Sequence, residues 1–216
     1  MKRCIGIGVI ALMIAACKAP LRPEIQTSLQ SVAELGAAVA ADAARSDREA
    51  DPKVRDELAA DAARHADACL VKAPGAASCL YYHAVALGLE ARAHPVRAGE
   101  FLKTMLEALA GAEAADAQID EAGPARVRAL VLIRAPGWPL GPGDVEAGLA
   151  AAHRAVALRP QYPPNLLAQA EALAKTGAAG DARESYERAR DLAQALPPSA
   201  DRDDWLREAD QALQHK

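Results

Sequence analysis

Few side chains in this sequence are placed to do chemistry. Its 216 residues include five histidines and four cysteines. No stretch has the spacing of a serine nucleophile elbow, an HExxH zinc helix or a glycine-rich phosphate loop. The histidines are scattered, and we predict that each is solvated or caps a helix end rather than binding a metal. We therefore expect no enzymatic activity, no cofactor and no metal. The chemistry that remains is that of the cysteine thiols.

Cys17 lies at the end of a segment with the architecture of a signal peptide. Lys2 and Arg3 precede an apolar run that extends to Met13, which is the usual order of a charged and a hydrophobic region. The segment Ile-Ala-Ala-Cys at residues 14–17 resembles the bacterial lipobox, which implies cleavage before Cys17 and a lipid on its thiol. A transmembrane anchor is the alternative, but the run falls short of the roughly 20 residues that span a bilayer.

These features predict the organisation and location of the chain. Residues 1–16 form a lipoprotein signal peptide, residues 17–23 a tether, and residues 24–216 a single helical domain. Several acyl chains on one cysteine make membrane attachment stable. An aspartate after that cysteine usually favours the inner membrane, whereas here the residue is Lys18. We therefore expect an outer-membrane lipoprotein whose domain faces the periplasm, with the inner membrane as the less favoured site.

Cys69 and Cys79 are the thiols that remain once Cys4 leaves with the signal peptide and Cys17 carries lipid. Two thiols in an oxidising compartment form a natural pair. Their spacing does not fit the short-loop zinc motifs. We predict a disulfide across the turn at residues 73–75. The alternative is that the two cysteines are separately buried small residues.

Composition limits both the fold and the class of partner. The chain is 51% hydrophobic but only 3% aromatic. Its core must therefore be built from Ala, Leu and Val, which suits closely packed helices better than strands. The formal net charge is −4, so there is no basic surface to neutralise phosphates, and we exclude nucleic acid as a partner.

The clearest periodicity lies between Pro163 and Gln194, where two helical faces flank a glycine. The face positions are Leu166, Ala170, Leu173, Ala182, Tyr186 and Ala189, and the glycine is Gly177. These offsets match the tetratricopeptide repeat, a helix-turn-helix of 34 residues in which small positions allow close helix contact. Further helices are predicted at residues 24–45, 52–71, 96–115, 124–134 and 200–214. The fold class is therefore all-α, a tetratricopeptide-like helix-turn-helix solenoid of about nine helices.

Several loop motifs make the comparison with known families more specific. The motifs are Cys79-Leu80-Tyr81-Tyr82, Gly123-Pro124-Ala125-Arg126, Pro136-Gly137-Trp138-Pro139, Gly143-Asp144, and Tyr162-Pro163-Pro164-Asn165. From about Cys69 to the C-terminus the chain resembles the T-component family of tripartite ATP-independent periplasmic (TRAP) transporters, which are lipoproteins with tetratricopeptide-like helices.

The resemblance implies a periplasmic binding or adaptor module that associates with the solute-binding protein of a TRAP-type uptake system. In some members such a protein encloses a channel for an apolar small ligand, and some form homo-oligomeric trimers. A non-enzymatic scaffold for outer-membrane assembly or secretion, using the same repeat surface, is the alternative function.

Five residues are candidates for binding on these grounds. They are Tyr81, Tyr82, Arg126, Trp138 and Asn165. Trp138, in the eight loop residues from 135 to 142, is either a plug packed on the helices or an anchor presented to a partner. Tyr81 and Tyr82 cannot share one helix face, so we expect one in the core and the other beside a groove. Asn165 and Asp144 are expected to cap the helices that they open.

Overall fold

The computed structural model describes residues 30–214, and this part of the chain is built of helices joined by loops, with no β-strand. The prediction of an all-α fold is thereby confirmed. The predicted signal peptide, Cys17 and the tether lie outside the described residues. Within residues 30–214, no helix is both long enough and apolar enough to cross a bilayer. The helices are α1 Val32–Arg48, α2 Pro52–Lys72, α3 Ala77–Ala93, α4 Ala98–Ala115, α5 Ile119–Arg134, α6 Val145–Leu158, α7 Pro163–Lys175, α8 Ala179–Gln194 and α9 Ala200–Gln214.

The first described helix begins at Val32 because Ser31 caps it, and residues 24–29 of the predicted helix lie outside the described part of the chain. Ser31 is extended, and its hydroxyl accepts a hydrogen bond from the Glu34 amide at 3.2 Å. In return, the Glu34 carboxylate accepts the Ser31 amide at 2.7 Å. This reciprocal pair satisfies two amides that a helix start leaves without partners, and it fixes the boundary. The carboxylate of Glu34 has a lowered pKa because the Ser31 amide and hydroxyl stabilise its charged form.

The helices form a two-layer array. Each even-numbered helix packs on the helices before and after it, while α1 contacts α3, α5 contacts α7 and α7 contacts α9. Within the layer of odd-numbered helices, the contacts of α3 with α5 and of α7 with α9 are sparse beside those of α1 with α3 and of α5 with α7. The array also curls, which brings its first and last helices together. The guanidinium of Arg48 at the end of α1 lies 3.4 Å from Asp201 and 3.7 Å from Asp204 in α9.

Alanine dominates the buried surface of this array. Most of the buried hydrophobic residues between 30 and 214 are alanines. In α2, for example, Ala59, Ala62 and Ala66 pack against Val39 of α1 and Leu89 of α3. A methyl side chain lets helix axes approach closely, and alanine is also the best helix former. Close helix contacts across alanines therefore take the place of the large aromatic side chains that the sequence lacks.

The predicted repeat unit at residues 163–194 is a helix pair in the structure. α7 and α8 are joined by a turn in which Gly177 has φ = 84°, a left-handed conformation that glycine adopts without a steric penalty. The amide of Ala178 donates to the carbonyl of Leu173 at 3.0 Å across this turn. The position of the break and the two helical faces are as the spacing predicted.

The predicted pairing of Cys69 with Cys79 is also present. Their Cα atoms lie 5.3 Å apart and the sulfur atoms are joined, linking the end of α2 to the start of α3. Both cysteines are fully buried and pack against Leu35 of α1. The alternative of two separately buried thiols is therefore wrong. The disulfide joins α2 to α3, and α1 packs against it at the same end of the array.

Replacing both cysteines, as in the double variant Cys69→Ala and Cys79→Ala, should lower the free energy of unfolding by about 2–3 kcal/mol. The reason is that the crosslink restricts a short loop in the unfolded chain. Urea denaturation followed by circular dichroism measures the loss. A reducing agent should lower the midpoint of the natural chain and leave that of the variant unchanged. Equal midpoints for the natural and double-variant proteins under oxidising conditions would contradict the prediction.

Candidate functional site

A large apolar groove opens where α3 and α5 separate. It has a volume of about 650 Å³, within the range of small-molecule sites. α1, α3, α4 and α5 all contribute to it, and α4 is accessible between its two neighbours. The apolar lining residues include Ala43, Val85, Gly88, Leu89, Leu102, Met105, Val127, Leu130 and Val131.

The charged residues of the groove lie together at one end. Asp47, Arg92 and Arg134 are near the C-terminal ends of α1, α3 and α5, where Ala98 begins α4. Arg92 donates from Nη1 to Asp47 at 2.8 Å and from Nη2 to the Ser46 hydroxyl at 3.0 Å. The groove therefore has a charged end and an apolar end.

The guanidinium of Arg134 is held by a carboxylate from a fourth helix. Its Nε lies 2.9 and 3.0 Å from the two oxygens of Glu171 in α7, and its Nη2 lies 2.5 Å from one of them. These bonds raise the pKa of Arg134. Glu208 of α9 also faces this pair, and although it is solvent-exposed, desolvation by neighbouring atoms raises the pKa of its carboxyl. Arg134 is thus a cation fixed in place at the mouth of the groove.

The loop between α5 and α6, residues 135–144, borders the same end of the groove, and we call it the Trp loop. Ala135 and Pro136 at its root line the groove. Trp138 is 90% exposed, so the reading of this residue as a plug in the core is wrong. A plug would have to bury its ring against the helices, and here the ring faces solvent.

The backbone of the Trp loop is closed by hydrogen bonds at its root. The amide of Gly143 donates to the carbonyl of Pro136 at 2.9 Å, and the amide of Asp144 donates to Leu132 at the same distance. A side chain at Gly143 would overlap the carbonyl oxygen of Ala135, so only glycine fits this close approach. The Asp144 carboxylate then caps α6 by accepting the Ala147 amide at 3.0 Å, as predicted.

Two further apolar side chains accompany Trp138. Leu140 is 79% exposed and Val96, in the short turn before α4, is fully exposed. The carbonyl of Leu140 lies 3.9 Å from the Cβ position of Gly99, so the Trp loop lies against the start of α4. Val96 lies three residues before Gly99, so these three exposed side chains belong to adjoining segments beside the charged end of the groove, and we call them the tip.

Arg126 is the centre of a buried polar network away from the groove. Its Nη1 donates to the carbonyls of Asp120 and Glu121 and to the side chain of Asn165, each at 3.1 Å. Its Nη2 lies 2.6 Å from the Asp120 carboxylate. The guanidinium also stacks 5.2 Å from the centre of the Tyr162 ring. The charge of Arg126 is thus satisfied within the protein.

The network holds a strained turn at the start of α5. Asp120, Glu121 and Ala122 have φ values of 49°, 54° and 65°, and a left-handed conformation costs roughly 1–2 kcal/mol for each non-glycine residue. The regular part of α5 begins at Gly123, one residue before the predicted start. Arg126 satisfies two carbonyls of this turn, and this compensates for the strain.

Tyr81 and Asn165 complete the network. The Tyr81 hydroxyl donates to the Asp120 carboxylate at 2.5 Å, and burial raises the pKa of Tyr81 strongly although the charge of Arg126 opposes the shift. The amide of Asn165 donates to the carbonyls of Glu121, Ala155 and Arg159. Asn165 was expected to cap its own helix. Its side chain instead satisfies carbonyls at the end of α6, because it is fully buried against that end.

The five candidate binding residues thus divide into three places. Tyr81, Arg126 and Asn165 meet in the buried network, where they bind protein groups. Tyr82 is half-buried, and its ring packs against Gly36 of α1. One of the two tyrosines was expected beside a groove, but neither lines the apolar groove. Trp138 is exposed at the tip.

One histidine also departs from the sequence prediction. His65 is 8% exposed and its Nδ1 lies 3.3 Å from the Asp42 carboxylate in α1. It is therefore a buried residue of the α1–α2 contact rather than a solvated one. No group of three or more potential metal-binding side chains occurs in the described part of the chain.

The residues that line the groove were missed by sequence reasoning. A signal was present in α5, where Val127, Leu130, Val131 and Arg134 recur at helical spacing. Such a face is normally read as core. Buried Ala129 and Leu132 occupy another face of the same helix, so α5 has more apolar surface than one packing partner requires.

Comparison with known protein families and with curated proteins finds no match to this chain.

Replacing Asn165 with alanine should lower the free energy of unfolding by about 3 kcal/mol, because buried carbonyls and the Arg126 guanidinium lose a partner. The urea midpoint measures the change. Gln161→Ala, which removes a similar amide from an exposed position just before α7, is the matched control and should have little effect. A loss no larger than that of the control would show that the network does not hold the turn.

Proposed function

We propose that the protein is a non-enzymatic binding module whose apolar groove takes an apolar small ligand. The groove carries this proposal. It is open, large enough for a ligand, and lined by aliphatic side chains, several of which are only partly buried. Transfer of such surface from water to a ligand is favourable at roughly 25 cal/mol per Å², and a few charged groups at one end provide orientation.

The architecture of the array supports the finer fold proposal of a tetratricopeptide-like solenoid. Neighbouring helices pack in sequential pairs, the odd-numbered helices share one layer, and the pair α7–α8 has its glycine at the expected turn. Solenoids of this kind bind ligands and protein segments along the layer of first helices. The groove lies on that layer, between α3 and α5.

We further propose that the module is a helper of a TRAP-type solute uptake system, as the resemblance of its loop motifs implies. Its partner would be a periplasmic solute-binding protein, and its lipid on Cys17 would hold it at the outer membrane. The tip supports a partner of this kind, because Val96, Trp138 and Leu140 are all exposed apolar residues. Trp138 and Leu140 lie on a loop whose prolines limit its freedom before binding. Large exposed apolar side chains on adjoining segments are candidates for an interaction site.

The groove is tested by placing charge in its lining. The double variant Leu102→Asp and Leu130→Asp should reduce binding of the fluorescent apolar probe N-phenyl-1-naphthylamine at least tenfold, because the probe would then be buried beside two carboxylates. Both leucines are only partly buried, so the fold should persist, which circular dichroism checks.

Val71→Asp is the matched control for this experiment. Val71 is an 85% exposed apolar residue at the end of α2, outside the groove. Its substitution adds the same carboxylate without altering the groove. If the probe binds the groove variant as well as it binds the control, the groove is not the binding site.

The tip is tested with Trp138→Ala against a TRAP-class solute-binding protein of the same organism. Loss of an interface anchor should weaken association by about 2 kcal/mol, which is roughly 30-fold. Thermal melting should not change, because the ring is exposed. Surface plasmon resonance and circular dichroism measure the two quantities, with Val71→Ala as a control at another exposed apolar residue. Unchanged affinity would exclude the tip as the partner site.

A further inference from the structure

The arrangement of charge along the groove identifies the class of ligand more closely. Among the residues that line it, the charged side chains are Asp47, Arg92 and Arg134. Arg134 is paired with Glu171 of α7, so the charges cancel in two pairs, and the preference for a head depends on the guanidinium donors that these pairs leave unused. All three lie at the same end. The opposite end, around Val85, Met105 and Val127, is aliphatic. A ligand that matched both ends would be an amphiphile with its head beside the two arginines.

Both arginines keep donors for such a head. Arg92 uses Nη1 and Nη2 for Asp47 and Ser46, and Arg134 uses Nε and Nη2 for Glu171. Nε of Arg92 and Nη1 of Arg134 make no hydrogen bond to the described residues. Their side chains are 43% and 54% exposed, so a ligand can reach them. The carboxylates that hold the two guanidiniums fix their positions and leave these donors available.

The acidic neighbours do not reverse this preference. Both oxygens of Glu171 are engaged by the Arg134 guanidinium. Glu208 acts on Arg134 from α9 but does not line the groove. An anionic head would replace water on two positioned guanidinium groups.

We propose that the groove binds a single-chain anionic amphiphile, with its alkyl chain along the aliphatic end and its carboxylate between Arg92 and Arg134. This inference rests on the proposed function, since it names the ligand class of the same groove. Asp47 and Glu171 are positioning residues in this site, because each holds an arginine. The chain is oriented with its head toward the Trp loop and its tail toward Met105.

Three twelve-carbon probes with different heads test the proposal on the full chain. Dodecanoate, dodecanol and dodecylammonium are each titrated, below the concentrations at which they aggregate, against protein loaded with N-phenyl-1-naphthylamine. Dodecanoate should displace the fluorophore at a concentration at least tenfold lower than either of the others. The three probes share one alkyl chain, so the difference reports the head.

Substitution of the arginines locates the head. Arg92→Gln and Arg134→Gln should each weaken dodecanoate binding five- to tenfold and leave dodecanol binding unchanged. Arg128→Gln is the matched control, because Arg128 lies on α5 but lines a different pocket. Glu208→Gln should strengthen dodecanoate binding about twofold by removing an opposing charge.

The outcomes separate this inference from the proposed function. If dodecanol displaces the fluorophore as well as dodecanoate does, or if the arginine variants weaken both probes equally, the anionic head is overturned while the apolar groove stands. A preference for dodecylammonium overturns the head in the same way. If neither the fluorophore nor any of the three probes binds, both proposals fail.

Discussion

The close approach of helices across alanine methyl groups is the constraint on which this structure depends. With few large side chains available, the array is stabilised by many small contacts between neighbouring helices rather than by one large core. Ala62 and Ala66 of α2, and Ala129 and Ala152 in the α5–α6 contact, are examples. Such contacts require the helix axes to stay close, so any place where they diverge leaves larger side chains uncovered.

The groove is the place where this happens. α3 and α5 make few contacts with each other, and the half-buried Leu102 of α4 lines the groove between them. The strained turn at residues 120–122 directs the chain from α4 into α5, and Arg126 holds that turn against α7 through Asn165. The buried network and the open groove are therefore two consequences of how α5 is placed. Hydrogen bonds and an ion pair close the buried network, whereas the groove leaves aliphatic surface for a ligand.

Sequence reasoning predicted the features that are encoded locally. The helix pair around Gly177, the cap at Asp144 and the link between Cys69 and Cys79 each depend on residues close in the chain. The start of α1 at Val32 depends on the reciprocal hydrogen bonds of Ser31 and Glu34, which the helical periodicity of the segment does not reveal.

The candidate site was predicted less well. Arg126 and Asn165 were identified, but their shared burial was not, because it depends on the packing of α5 against α7. The groove depends on the distance between α3 and α5, which no spacing within either helix encodes. The exposure of Trp138 likewise follows from where the root of its loop is closed.

The contact of Arg48 with Asp201 and Asp204 bears on how the chain folds. Most helix contacts join neighbours in the sequence, and topologies of this kind have a low contact order and fold quickly. The Arg48 contact joins residues 153 positions apart, and its exposed ion pairs contribute on the order of 1 kcal/mol at most. Nucleation can therefore begin at any helix pair and spread outward, and the two ends of the array meet only after the helices between them have formed.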